Sequence, residues 1–422
     1  MSVFKKNRLI LLQLLAICGT LILFQYLVHF FPHTILGLIL HLILILFWAF
    51  LLTVIVTFLG LQIIYNFRSE RSFIPSKLKI KPLPELRNYH IVNPLEDEGI
   101  YYKAQLHCHT NLSYDSKTPP DQVIESYKKD GYHILAITDH DILSDFSQYS
   151  TNDFLILPGI EKTVPALFWP IPLGKHLVLI NPEERNPQFK GVQELLDQAW
   201  NHESLAIPAH LGWRGGAGTG RWYPLELNRL KNLQFIEIDN PHSKDPLDLT
   251  IWHKLIIKSG PDSPIWGISV DDSHSGSSKN GWIMIKAPRL DLPSIINCLK
   301  KGAFYATNGP SNLEIKVEGN KIAVESPGAV WIRFINAQNQ VIMAVRADSA
   351  IYPSTGDEGF IRVEVSDQKG ATAWSQPMWL IPKISEKSKS KKLPHFLFRG
   401  CPLHSKRRHL LSKNPGLYIY ND

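Results

Sequence analysis

Seven strand-like runs succeed one another between Lys103 and Asp271, and side chains able to hold a cation recur at their ends. The runs are Lys103–Thr110, Ile134–Asp139, Phe154–Glu161, His176–Asn181, Leu205–His210, Phe235–Asn240 and Ile265–Asp271. Helix-like stretches separate most of them. Pro119–Asp130 opens on a proline pair and stops at Gly131, as a helix should. Val192–Asn201, Leu247–Ser259 and Leu292–Lys301 have helical apolar spacing. Such alternation through seven strands predicts a parallel α/β barrel. In a barrel of that kind the reacting groups gather at the C-terminal ends of the strands.

Nine candidate donors lie along this stretch: His107, His109, Asp115, His140, Glu161, His176, His210, Asp272 and His274. All offer nitrogen or oxygen, the atoms that hold hard or borderline cations. His107 and His109 stand two apart, so on a strand both imidazoles share one face and Cys108 turns to the other as a packing residue. A lone His-x-His says little. His107-Cys-His109, then Thr138-Asp-His140, then the strand-end Glu161, then Asp272-Ser-His274, in that order, is a specific pattern. Clustered cations lower the pKa of bound water and neutralise charge on an attacked oxygen. The series therefore predicts a hydrolase.

These motifs, with His176 and His210, resemble the polymerase-and-histidinol-phosphatase (PHP) family over about Tyr101–Pro310. The phrase Gly302-Ala-Phe-Tyr-Ala-Thr-Asn-Gly-Pro310 precedes a β-rich segment ending Thr372-Ala-Trp-Ser-Gln-Pro377. That arrangement is similar to the carbaryl-hydrolase-like (CehA/McbA) branch, in which an immunoglobulin-like domain follows the barrel. The resemblance implies a distorted (β/α)7 barrel and a trinuclear site. It implies that His107, His109, Glu161 and Asp272 hold one ion, and that Glu161 bridges to a second held by His176 and His210. Asp115, His140 and His274 would hold the third. Two to three divalent ions are expected, with manganese, iron and zinc all compatible with this donor set. Asp139, His274, Arg214 and Arg221 are the candidates for catalytic roles. Asp139 and Asp141 are placed to orient His140, and the two arginines, in the glycine-rich stretch after His210, to clamp a phosphate. His242 is read as a surface residue, with the site mouth as the alternative. His133, His202 and His253 are expected to face solvent, and Phe168 and Trp169 to line a substrate pocket or to pack.

The ends of the chain differ from its middle. Leu9–Val28 carries no charge, and Thr34–Tyr65 is interrupted only by His41. Both exceed the roughly 18 apolar residues of a membrane-span candidate, which predicts a two-helix hairpin. Lys5, Lys6 and Arg8 precede it, and Arg68, Arg71, Lys77, Lys79 and Lys81 follow. The positive-inside rule then puts the body in the cytoplasm, or outside if only one run spans. The formal net charge is +7, but the tail Ile381–Asp422 holds ten Lys/Arg against Glu386 and Asp422. The rest of the chain is near −1, which argues against a groove for long nucleic acids. Four scattered cysteines form no C-x-x-C pair, against a disulfide framework or a cysteine zinc site.

The expected organisation is a membrane anchor (1–66), a linker (67–98), the barrel (99–310), a small β-sandwich (311–381) and a basic tail (382–422). The expected activity is phosphate-ester hydrolysis of a small molecule. A carboxyl- or carbamate-ester hydrolase and a non-catalytic, membrane-tethered binding module are the alternatives.

Overall fold

The computed structural model describes residues 34–71, 88–164, 174–184, 191–213, 220–243 and 247–383. They fall into two units, one holding the N-terminal helix with Tyr223–Arg229 and the other holding the remainder.

The helix, α1 (Ile35–Arg71), carries no charged residue before Arg68, and its segment Gly37–Thr57 is long and apolar enough to cross a membrane. Two of its polar side chains make their bonds within the helix. His41 Nδ1 meets the Gly37 carbonyl and Thr53 Oγ1 donates to that of Ala49. The expected first span, Leu9–Val28, lies outside the described residues, as does most of the expected linker and tail.

The other unit is a mixed α/β fold. Its strands are β1 (Tyr89–Val92), β2 (Ile100–Gln105), β3 (Ile134–Ile137), β4 (Leu155–Val164), β5 (Lys175–Ile180), β6 (Leu205–Pro208), β7 (Phe235–Asp239), β8 (Trp266–Ser269), β9 (Trp282–Ala287) and β10 (Phe304–Thr307). Helices α2 (Pro120–Lys129), α3 (Val192–Asn201), α4 (Leu247–Ser259) and α5 (Leu292–Lys301) lie between them. The local signals act as expected: Asp291 caps α5 by accepting from the Ser294 amide, and Gly302 closes it at φ 76°. All four residues of β3 are buried, which suits a central strand covered on both faces.

Strands β2, β3 and β4 pair in parallel, as do β7 and β8. The expectation of an all-parallel arrangement fails at β5, which pairs antiparallel with both β4 and β6. Only residues 165–174 separate β4 from β5, too few for the crossover that parallel neighbours require. The chain therefore turns back on itself. Strand β9 is likewise antiparallel to β2 and to β10. Strand β7 packs beside β6, and β8 beside β9 and β10.

The C-terminal part is β-rich: β11 (Glu314–Glu318), β12 (Lys321–Glu325), β13 (Trp331–Asn336), β14 (Val341–Val345), β15 (Ser349–Pro353), β16 (Phe360–Ser366), β17 (Thr372–Ser375) and β18 (Met378–Pro382). Antiparallel β11–β12–β15 faces a layer containing β13 and β16, with Phe334 stacked on Tyr352 at 5.2 Å. That layer continues without a break into the first part, because β17 pairs with β10. A single thirteen-stranded sheet runs from β1 through β18, β16, β17, β10 and β9 to β2 and on to β6. Strand β1 lies in the stretch read as linker and pairs with β18. Gln376 adds a second tie, accepting from the Gly267 amide at 3.0 Å and donating to its carbonyl at 2.8 Å.

His253 departs from expectation. It is buried on α4, with Nε2 against the Ala337 carbonyl at 3.0 Å and Nδ1 near Arg362. It faces the β-rich layer because α4 is sandwiched beneath it. Burial and the nearby Arg362 charge push its pKa down to about 3.

Candidate metal centre

The structure brings all nine predicted donors to one place. The fold does so by continuing strands past their ladders. After β2, the Cys108 carbonyl accepts from Thr138 and the His109 amide donates to Ser273, so three chain segments run side by side. Gln105 anchors this end: its Oε1 accepts the amides of Leu106, His107 and Asp271. Gly159 allows β4 to approach β3, since a Cβ there would lie 2.7 Å from the Ile137 carbonyl. That approach sets Glu161 beside His140. The reversal of β5 puts His176 at the start of its strand, level with the ends of its neighbours. His210 and Asp272 lie just past β6 and β8 with φ of 29° and 43°. Non-glycine residues rarely adopt that backbone, and it often marks functional sites.

The donor atoms form three groups. In the first, His107 Nε2, His109 Nε2, Glu161 Oε2 and Asp272 Oδ1 converge. Five of their six separations run from 3.2 to 3.4 Å. Four donors placed tetrahedrally at about 2.0 Å from one ion would be roughly 3.3 Å apart. In the second group, Glu161 Oε1, His176 Nδ1 and His210 Nε2 are 3.0–3.2 Å apart. Glu161 thus faces each group with a different oxygen. In the third, Asp115 Oδ2 lies 3.0 Å from His140 Nε2 and 3.1 Å from His274 Nε2.

The first two groups are buried and the third opens to solvent, the side chains of Asp115 and His274 being 28% and 29% exposed. Tyr114 stacks on His140 at 4.9 Å, and Trp213 packs against His176 and His210. His242 is exposed, with its ring 5.4 Å from His274 and its Nε2 3.1 Å from the Asp272 carbonyl. It stands at the mouth and not on a remote surface.

The electrostatics of the cluster suit a cation. Burial alone would lower the His107 pKa, but Asp272, Glu161 and Glu237 hold it well above the usual value. His140 is similarly raised to about 9 by Glu161 and Asp115 against the effect of burial. Burial would raise Glu161, yet the surrounding histidines keep it well below the carboxylate range. Glu161 Oε2 and His140 Nδ1 are buried 3.1 Å apart, yet neither completes a hydrogen bond. Buried polar atoms of this kind call for an explanation, and convergent carboxylate and imidazole lone pairs fit a divalent ion.

Asp139, a candidate for a catalytic role, has both oxygens engaged by neighbouring groups. One oxygen accepts the Thr110 amide at 2.7 Å, and the other accepts the hydroxyls of Thr110 and Ser144. It thereby fastens β3 to the segment carrying His109. Asp141, at φ 57°, pairs with Lys162 at 3.1 Å. The Ser113 hydroxyl accepts the His140 amide and lies 3.3 Å from His109 Nδ1. Arg214, Phe168 and Trp169 lie outside the described residues. Arg221 precedes the buried Trp222, whose indole donates to the His176 carbonyl at 3.2 Å.

The residue that sequence reasoning missed is Glu237 on β7. It is 1% exposed and its Oε1 lies 2.8 Å from His107 Nδ1. The available signal was an acid at the centre of the apolar run Phe235-Ile-Glu-Ile.

No curated protein matches the chain. Among solved structures it is similar to a two-domain protein from Bacteroides vulgatus named for a PHP-like metal-dependent phosphoesterase. That likeness has 14% identity and a TM-score of 0.39, over 70% of this chain and 97% of the other. An amidohydrolase from Chromobacterium violaceum with bound sulfate and no metal shares 15% identity, over 41% of this chain and 87% of its own (TM-score 0.30). A protein from Bifidobacterium adolescentis named as a metal-dependent phosphoesterase shares 15%, over 42% and 89% (TM-score 0.29). Residues 105–157, the segment that carries His107, His109, Asp115 and His140, match the PHP domain family.

Proposed function

We propose that this protein is a membrane-anchored, metal-dependent phosphoesterase of the PHP type. The observation that carries the reading is the convergence of His107, His109, Glu161 and Asp272, joined through Glu161 to His176 and His210. A cluster of two to three divalent ions would supply activated water and would neutralise charge on the attacked phosphoryl oxygen. His107, His109, Glu161 and Asp272 would hold one ion, Glu161, His176 and His210 a second, and Asp115, His140 and His274 a third. The solvent-facing third group marks the side from which an ester enters. Tyr114, Trp213 and His242 border that side, and Arg221 or Arg214 is the candidate phosphate clamp. The strands β2–β9 around this cluster support the reading of a distorted (β/α)7 barrel, and the layered strands from β11 onward that of an immunoglobulin-like domain. Helix α1 supports the anchor.

A carboxyl- or carbamate-ester hydrolase is the second reading. The β-rich C-terminal part, as in the carbaryl-hydrolase-like branch, favours it. Hydrolysis by the manganese-loaded protein separates the two. Aryl phosphomonoester, phosphodiester and carboxyl ester would be compared, each with His107→Ala as control. Wild-type-only turnover of a phosphate ester is the expected result. Turnover of the carboxyl ester alone would move the assignment to the second reading. No hydrolysis with manganese, iron or zinc would overturn both.

A further inference from the structure

We infer that Glu237 is a positioning residue that couples the first two donor groups, so that ions there are gained and lost together. The inference rests on the metal-centre reading above. Glu237 is buried on β7, and both of its oxygens are engaged. Oε1 faces His107 Nδ1 at 2.8 Å. Oε2 accepts the backbone N–H of His210 and, at 2.8 Å, the side-chain amide of Asn240. The same Asn240 amide donates to Asp272 Oδ2 at 3.0 Å. One carboxylate thus touches His107 of the first group and His210 of the second, and through Asn240 it reaches Asp272.

The chemistry of each contact is directional. A carboxylate only accepts, so His107 Nδ1 must carry the hydrogen and Nε2 must present its lone pair to the donor cluster. The His210 amide is held at a backbone angle that non-glycine residues seldom adopt. A fixed acceptor for that amide aims the imidazole at Glu161 Oε1, 3.1 Å away.

Glutamine at this position has the same shape but cannot serve both sides. If its NH2 faces His107, the imidazole must accept at Nδ1 and carry its hydrogen on Nε2, which removes a donor from the first group. If the NH2 faces the other way, it opposes the His210 amide, and the second group loses its aim. Aspartate is too short to span both contacts but keeps two acceptors, so it should retain one arm.

The test titrates full-length wild-type, Glu237→Gln, Glu237→Asp and Asp115→Asn proteins with Mn2+ by calorimetry. The visible absorption of the Co2+-loaded forms is recorded in parallel. Glu237→Gln is expected to weaken two ions together by about 10–100-fold and to change the Co2+ spectrum. Asp115→Asn should weaken one ion only. Glu237→Asp should fall between wild type and Glu237→Gln in affinity. Thermal melts without metal show which variants fold. If Glu237→Gln does not fold, Asn240→Ala takes its place and should weaken the ion on Asp272 and broaden the same spectrum. Wild type that binds Mn2+ while folded Glu237→Gln, or Asn240→Ala in its place, binds it equally would overturn the inference. So would loss of one ion in Glu237→Gln with the other unchanged. Wild type that binds no Mn2+ would instead overturn the metal-centre reading itself.

Discussion

Glu161 occupies a position that no other donor shares. Its two oxygens face separate groups, 3.3–3.4 Å from the first pair of imidazoles and 3.0–3.1 Å from the second. Glu161→Gln keeps the shape but replaces one oxygen with a donor. Hydrolytic activity should fall at least 100-fold, beyond what loss of a supporting contact alone causes, and a kinetic assay at saturating Mn2+ checks this. The histidines also make a prediction about pH. His140 has its pKa raised from 6.5 to about 9 in the folded protein. A raised value means that the folded metal-free protein binds the proton more tightly than the unfolded chain does. The stabilisation is full below 6.5 and is lost as pH rises through 9. The melting temperature of the metal-free protein should therefore fall over that interval. Metal binding displaces the same proton, so the gain in melting temperature on adding Mn2+ should grow over it. Melts at a series of pH values would show a falling midpoint without Mn2+ and a nearly level one with it over that interval, and parallel slopes would contradict this. The candidate donors were legible in the sequence, because most are polar residues at the ends of apolar runs. Glu237 and His253 were not. A sequence shows which residues interrupt an apolar pattern but not which neighbouring segment covers them.

At the scale of elements, the site depends on how strand ends are fastened. Asp139 shows this best, since it binds Thr110 and Ser144 with both oxygens while fully buried. Asp139→Ala should lower folding stability by about 3 kcal/mol, the cost of leaving buried partners of a charged group unpaired. It should leave the number of bound ions unchanged once folded. Denaturant titration and metal analysis of the same sample distinguish a fastening role from a catalytic one. The strands around the donors were readable from alternation and apolar runs, and α3, α4 and α5 fall on the predicted residues. The direction of β5 was not, because apolar spacing is the same whichever way a strand points. The length of the connection before it was the usable clue. Strands β1 and β15 went unseen because each is short and lies at a sheet edge, and β9 and β10 fall beyond the seven runs read as strands.

For the whole molecule, the sheet joins what the chain order separates. Strand β1 sits near the start of the described body and pairs with β18 near its end. Deleting residues 88–93 should expose β18 and lower the melting temperature of the body, as a thermal melt of the deletion variant would report. A reporter fused at the C-terminus tests the membrane expectation. Cytoplasmic placement is expected if both apolar runs span, and extracytoplasmic placement would mean that one does. The boundary expected near residue 311 is a change in sequence pattern, from strand–helix alternation to short strands. The hydrogen-bonded sheet crosses it through β10 and β17, which no local pattern could reveal. Nine side chains from these separated segments would together form one multinuclear metal centre. Its most direct test is the metal content of the full-length protein after equilibration with Mn2+ and removal of free ions. Two to three ions per chain are expected in wild type and at most one in Glu161→Gln. A wild-type chain that retains none, or a variant that retains as many as wild type, would contradict it.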